Sequence, residues 1–157
     1  MERQTITAKE FLAALAGNCE VVALVDYEIK GKVDISEADI ECDEDGKYLI
    51  DKRVICANCV FTDDVYFCVA RFQKRAIFGE LGSLNNPKRT IFKGDANFSE
   101  AIFELPADFQ ATFEKHASFK RTVFKDDVTF ERSIFVGEDV IETDFITFEK
   151  AIFERDA

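Results

Sequence analysis

Residues 91–135 read IFKGDANFSEAIFELPADFQATFEKHASFKRTVFKDDVTFERSIF. Through this stretch Phe recurs at 92, 98, 103, 109, 113, 119, 124, 130 and 135. Two positions before each Phe stands a small or β-branched residue: Thr90, Ala96, Ala101, Ala107, Ala111, Ala117, Thr122, Val128 and Ser133. The Phe spacings alternate mostly between five and six, so pairs repeat about every eleven residues. Eleven is also a helical period, and a helix has to be tested first. At about 100° per residue, Phe98 and Phe103 would lie roughly 140° apart, and Phe103 and Phe109 roughly 240°. Successive rings would fall on opposite sides, so no single apolar stripe forms and an amphipathic helix fails. A strand works locally, because residues two apart share a face and each small residue points the same way as its Phe. These segments are too short for hairpins and are separated by polar corner formers. A chain that turns at every repeat brings all the rings to one axis, and successive coils then pair as short parallel ladders.

The unit of a small residue, any residue, Phe and two polar residues resembles that of the pentapeptide-repeat proteins, over roughly Ile29 to Phe153. The resemblance implies a right-handed, four-sided parallel β-helix. The nearly invariant Phe and the extra residue in many units resemble a Phe-rich variant of that family, and the extra residue should widen corners. Outward from the central stretch, coils are expected at Phe61, Phe67, Phe72 and Phe78; at Phe92, Phe98, Phe103 and Phe109; and at Phe113, Phe119, Phe124 and Phe130. A fifth begins at Phe135 and Ile141 and closes on Phe148 and Phe153. A first coil would use Ile29, Ile35, Ile40 and Ile55, with residues 41–54 looping out; a second excursion spans 79–90. Five coils at the ~4.8 Å strand spacing make a rod about 24 Å long.

The 157 residues form one domain on this reading: a capping region over 1–20 and a β-helix over 21–157. Thr7 and Glu10 have capping-box spacing, and Ile6 and Phe11 have staple spacing. The helix should run to Ala16, stop at Gly17-Asn18 and cover the open N-terminal end of the coil.

The net charge is −11. It opposes direct binding to nucleic-acid phosphates or anionic membranes and favours basic partners. No apolar run approaches the ~20 residues of a membrane span. The first residues lack a charged-then-apolar leader pattern, and the five cysteines do not suggest a disulfide framework; a cytoplasmic protein is expected.

Sites for chemistry are few. Cys56-Ala-Asn-Cys59 has zinc-ligand spacing, and Cys42 and Cys68 could complete four sulfurs. Against this, Cys59 stands two before Phe61, the small inward position, where a thiol is a good filler. Strand alternation should also send Cys56 and Cys59 to opposite faces. His116, the only histidine, falls at a corner. There is no phosphate-cradling glycine loop and no specified nucleophile–base pair, so no enzyme activity, metal or cofactor is expected.

Two surfaces are candidates for contact. Val60, Ile91, Thr112 and Ile134 each precede one column of inward positions and should line one outer face. The last coil, with Ile141, Phe148, Ile152 and Phe153, either lacks a cap and pairs with a second copy or is covered by Val136 to Asp144, which leaves a monomer. Some members of the resembled family dimerise through this end. From Glu20 to Asp64 thirteen acidic residues oppose five basic ones. Family members linked to quinolone resistance are acidic rods that mimic DNA and bind gyrase, which implies a DNA-mimic regulator of a topoisomerase as a second reading. Lys115, Lys120, Arg121, Lys125 and Arg132 interrupt the acidity in the later coils. The first reading is a protein-binding or structural module whose partner the residues do not name.

Overall fold

The computed structural model describes residues 2–80, 88–136 and 146–154. The chain enters as β1 (Gln4–Thr7), turns into α1 (Ala8–Ala16) and returns as β2 (Val21–Val25). A first coil follows, made of β3 (Tyr27–Lys30), β4 (Val33–Asp34), β5 (Tyr48–Ile50) and β6 (Arg53–Ala57). Later coils repeat this order, so their short strands stack into four parallel sheets that form the sides of a β-helix. Face one runs from β1 and β3 through Val60–Phe61, Thr90–Phe92 and Ala111–Phe113 to Ile134–Phe135. Face two runs from β4 to Ile146–Thr147, and face three from β5 to Ile152–Phe153. Face four runs from β2 and β6 through Ala76–Ile77 and Ala107–Asp108 to Val128–Thr129.

Each face contributes one column of rings to the axis. Parallel neighbours in adjacent coils have centroids 4.7 Å apart at Phe72–Phe103 and 5.7 Å apart at Phe67–Phe98, with the other columns between these limits. Across the axis the rings meet edge to face, as at Phe92–Phe98 (89°) and Phe103–Phe109 (87°). Offset stacks along the rod and edge-on contacts across it are the two arrangements that the ring quadrupole favours. Of the thirteen expected core rings, Phe61, Phe67, Phe72, Phe78, Phe92, Phe98, Phe103, Phe109, Phe113, Phe119 and Phe124 are fully buried. Phe130 and Phe135, nearer the C-terminal end, are half-buried.

The first coil departs from expectation. Its third and fourth inward positions are Ile50 and Cys56, both fully buried, and not Ile40 and Ile55. Ile50 pairs in register with Phe72, and Leu24 with Cys56. Ile55 points outward because strand alternation at the buried Val54 and Cys56 leaves it no other side. The first excursion is accordingly shorter than 41–54: the chain has rejoined face three by Tyr48. Of the second excursion, 79–90, residues 81–87 lie outside the described residues.

The helix closes the N-terminal end as its sequence requires. Thr7 Oγ1 accepts from the Glu10 amide at 3.1 Å, and Glu10 Oε2 accepts from the Thr7 amide at 2.8 Å. Ala8, Phe11, Leu12 and Leu15 face the coil, and the Phe11 ring lies edge-on to Phe61 and Phe67. At the other end of the helix the buried ammonium of Lys52 donates to the Gly17 carbonyl, where the helix dipole favours a cation. Among the described residues no helix is long and apolar enough to cross a membrane.

The five- and six-residue steps are two kinds of corner. Among the described residues seven non-glycine residues have positive φ: Asp26, Asn58, Val69, Glu100, Arg121, Arg132 and Lys150. Each stands two positions after an inward residue and three before the next, at Leu24→Ile29, Cys56→Phe61, Phe67→Phe72, Phe98→Phe103, Phe119→Phe124, Phe130→Phe135 and Phe148→Phe153. A five-residue corner has one residue fewer in which to turn, and the left-handed conformation supplies the sharper bend. The six-residue steps from Phe61 to Phe67, Phe92 to Phe98 and Phe113 to Phe119 contain no such residue. Val69 is the least suited of the seven, since its branched Cβ crowds the backbone at φ 61°. Replacing Val69 by Asn, which tolerates this region, is expected to raise stability by about 1 kcal/mol. Urea unfolding measures it, and a midpoint at or below that of the wild type would show that Val69 is not strained.

Candidate interaction surfaces

Because the rings fill the axis, whatever the rod offers to another molecule lies on its outer faces or at its ends. Parallel register fixes which side chains share an outer column. On face one the column is Thr5, Glu28, Val60, Ile91, Thr112 and Ile134. The four residues expected to form a stripe are thus in register in one column. Val60 is 6% exposed and Ile134 43%, so the stripe opens toward the C-terminal end.

Other faces carry aliphatic columns that the Phe periodicity did not single out. Face three presents Leu49, Arg71, Ile102, Val123 and Ile152. Face four presents Ala23, Ile55 and Ile77 before it turns polar at Asp108 and Thr129. Face two is polar throughout, with Asp34, Tyr66, Asn97, Ser118 and Thr147.

Face three is partly occupied by the first excursion. Its turn, Asp43 to Gly46, is flanked by an antiparallel bridge between Cys42 and Tyr48. Arg71 holds this turn to the sheet, with Nη1 3.0 Å from Asp43 Oδ2 and Nη2 2.5 Å from Glu104 Oε1. Lys125 reaches Glu104 at 3.3 Å, and Lys47 Nζ donates to the Glu100 carbonyl at 2.7 Å. The Lys47 amide and the Arg71 guanidinium hold the Asp43 carboxyl below the usual carboxylate range.

The four cysteines weighed as zinc ligands are dispersed. Cys42 is exposed on the excursion, Cys68 is half-buried before the corner into face three, and Cys56 and Cys59 are fully buried. Among the described residues no three histidine, cysteine or carboxylate groups come together as a metal site. Cys56 and Cys59 both point inward, contrary to simple alternation, because Asn58 at φ 52° turns the corner between them. Burial pushes the Cys59 thiol up to about 11 and Cys56 well above the ordinary thiol range. Cys59 Sγ lies 3.3 Å from the Leu24 carbonyl, as a core filler with a weak donor should. His116 is exposed at its corner.

At the C-terminal end Phe135, Phe148 and Phe153 stack on Phe113, Phe119 and Phe124, each with centroids 5.1 Å apart. Among the described residues none of the three has a parallel ring on its other side. Ile152 is 52% exposed and Phe153 40%, and Val136 is also exposed. Phe148, Ile152 and Phe153 thus come together at one end, as expected, while Ile141 lies outside the described residues.

No family model, curated protein or solved structure matches the chain.

One class of residue has a role that the Phe periodicity does not disclose: the hydroxyls two positions before a Phe. Thr90 and Thr122 are fully buried, and Ser133 is half-buried. Thr122 Oγ1 donates to the Phe98 carbonyl at 2.8 Å, and Ser133 Oγ to the Phe109 carbonyl at 2.5 Å. They therefore tie adjacent coils together. Their one signal is a polar residue at a position otherwise given to Ala or Val.

Proposed function

We propose that the chain is a non-catalytic, cytoplasmic protein-binding module of the pentapeptide-repeat kind, and that it pairs with a second copy through its last coil. The single observation that carries the pairing is the apolar edge left by Phe148, Ile152 and Phe153. An exposed coil end offers unpaired backbone groups and ring faces, and a two-fold mate presents the same surface in return. The binding role has its support in a core packed solid with Phe rings and aliphatic side chains, and in aliphatic columns on three outer faces. The DNA-mimic reading draws on the net charge but finds Arg71, Lys120, Arg121 and Lys125 along the rod, which a continuous phosphate-like array would not have.

Sedimentation equilibrium at micromolar concentration is expected to give twice the chain mass. Phe153→Asp should return it to monomer, because a carboxylate at the centre of the pair would be desolvated without a partner. A wild-type chain that sediments only as a monomer would remove the pairing.

A further inference from the structure

Face four carries a feature that the charge balance of the chain hides. Where the corner from face three meets this face, a groove of about 720 Å³ opens on the surface. Its floor is aliphatic: Ile55 and Ile77 are adjacent in the sheet register, flanked by Val21 (41% exposed) and Leu105 (39%). Large aliphatic side chains exposed together need an explanation that single exposed ones do not. Its rim is basic, with Arg53, Lys74 and Arg75 all exposed, and among the described residues none of them forms an ion pair. Two acids also line it. Asp51 is matched by the buried Lys52, 3.5 Å away, and Asp108, next to Ile77 in the sheet register, acts on Arg75, which leaves Glu20 against Arg53 and Lys74. The groove is therefore locally positive on a chain of net charge −11.

We propose that this groove docks an extended acidic segment of a partner protein, with aliphatic side chains on Ile55 and Ile77 and carboxylates on Arg53, Lys74 and Arg75. The inference deepens the protein-binding reading and rests on it. A strand alternates its side chains, so one sequence can present aliphatic groups to the floor while carboxylates reach the rim. At physiological salt the Debye length is about 8 Å, so the rim acts on such a segment more strongly than the distant acids do. A nucleic acid fits less well. It would meet an aliphatic floor with no aromatic ring for base stacking, on a chain whose total charge repels phosphate.

The test is a titration of uniformly ¹⁵N-labelled protein with a synthetic peptide that alternates Glu with Ile and Val, about six residues long at ~3.3 Å per residue. Saturable amide shifts are expected at 21–25, 53–57, 74–77 and 105. Affinity should fall about tenfold in a Lys74→Glu, Arg75→Glu double variant, and further as salt is raised. The same peptide with Lys for Glu should not bind, nor should a short single-stranded oligonucleotide. Both substituted positions are exposed, and an unchanged thermal midpoint will show that the variant is folded. Saturable shifts confined to face one or three would overturn the assignment of face four and leave the protein-binding reading standing. An absence of saturable shifts, or equal binding of the Lys peptide or the oligonucleotide, would overturn the inference. In either case the pairing of the last coils is decided separately by sedimentation.

Discussion

Phe98→Ala is expected to lower stability by about 3–5 kcal/mol, among the largest effects of any single core truncation in this chain. The Phe98 ring lies parallel to Phe67 and Phe119, at 5.7 and 5.3 Å, and edge-on to Phe78, Phe92 and Phe109. Removing it takes away buried apolar area and opens a void that the neighbours cannot fill. Their backbones are held by the ladders: the Phe67 amide donates to the Asn97 carbonyl and the Phe119 amide to the Thr147 carbonyl. Each stacked or edge-on pair adds roughly 0.5–1.5 kcal/mol beyond burial, and several are lost at once. Phe103→Ala belongs to the same range, toward its lower end, because that ring stacks on Phe72 and Phe124 but has fewer edge-on partners. Phe153→Ala should cost far less at concentrations that leave the chain unpaired, since that ring is 40% exposed within one chain. Urea unfolding of the three variants is the measurement. Equal losses at Phe98 and Phe153 would mean that the ring columns do not carry the stability.

Thr90→Val is expected to cost about 3 kcal/mol, although it keeps the shape of the side chain and adds apolar surface. Thr90 is fully buried. Its Oγ1 accepts from the Cys59 amide at 3.2 Å and lies 2.7 Å from the Cys56 carbonyl and 3.1 Å from that of Gly79. One hydroxyl therefore joins both ends of the second excursion to the preceding coil. Valine would leave a buried N–H and a buried C=O without partners, at about 1–3 kcal/mol each. Thr90→Ser keeps the hydroxyl and should recover most of the loss. If Val proves as stable as Thr in thermal and urea unfolding, the hydroxyl is not structural and only its volume matters.

The two substitutions mark the limits of what the primary structure disclosed. The ring columns were legible because one residue type, Phe, repeats at intervals that no helix can serve. The capping helix was legible because Thr7 and Glu10 state its start in three residues. The first coil was not, because Ile29, Ile35, Ile40, Ile50 and Ile55 are chemically alike and periodicity alone cannot choose among them. Ile50 and Cys56 stand 22 residues before Phe72 and Phe78, and that common offset would have selected them. The left-handed corners were invisible for another reason. Only Asp26 and Asn58 belong to the residue types enriched at positive φ; Val69, Glu100, Arg121, Arg132 and Lys150 do not, and there the ladder imposes the conformation. Face one's column could be read because it abuts the Phe register directly. The groove on face four could not, since it joins residues from three coils with a corner.

The excursions have a consequence for how such a chain can change. Phe92 and Phe113, neighbours in one column, are 21 residues apart, whereas Phe61 and Phe92 are separated by 31 because the second excursion intervenes. Loop-closure entropy grows only with the logarithm of length, so the longer separation disfavours pairing by about 0.3 kcal/mol. That is small beside the several kcal/mol of one ring. Segments at these two corners can lengthen, shorten or be exchanged almost without thermodynamic penalty, provided that Ile50 and Phe92 return to their columns. Such a chassis can acquire new loops without renegotiating its interior, and two domains of this kind could share every ring while differing entirely in what they recognise.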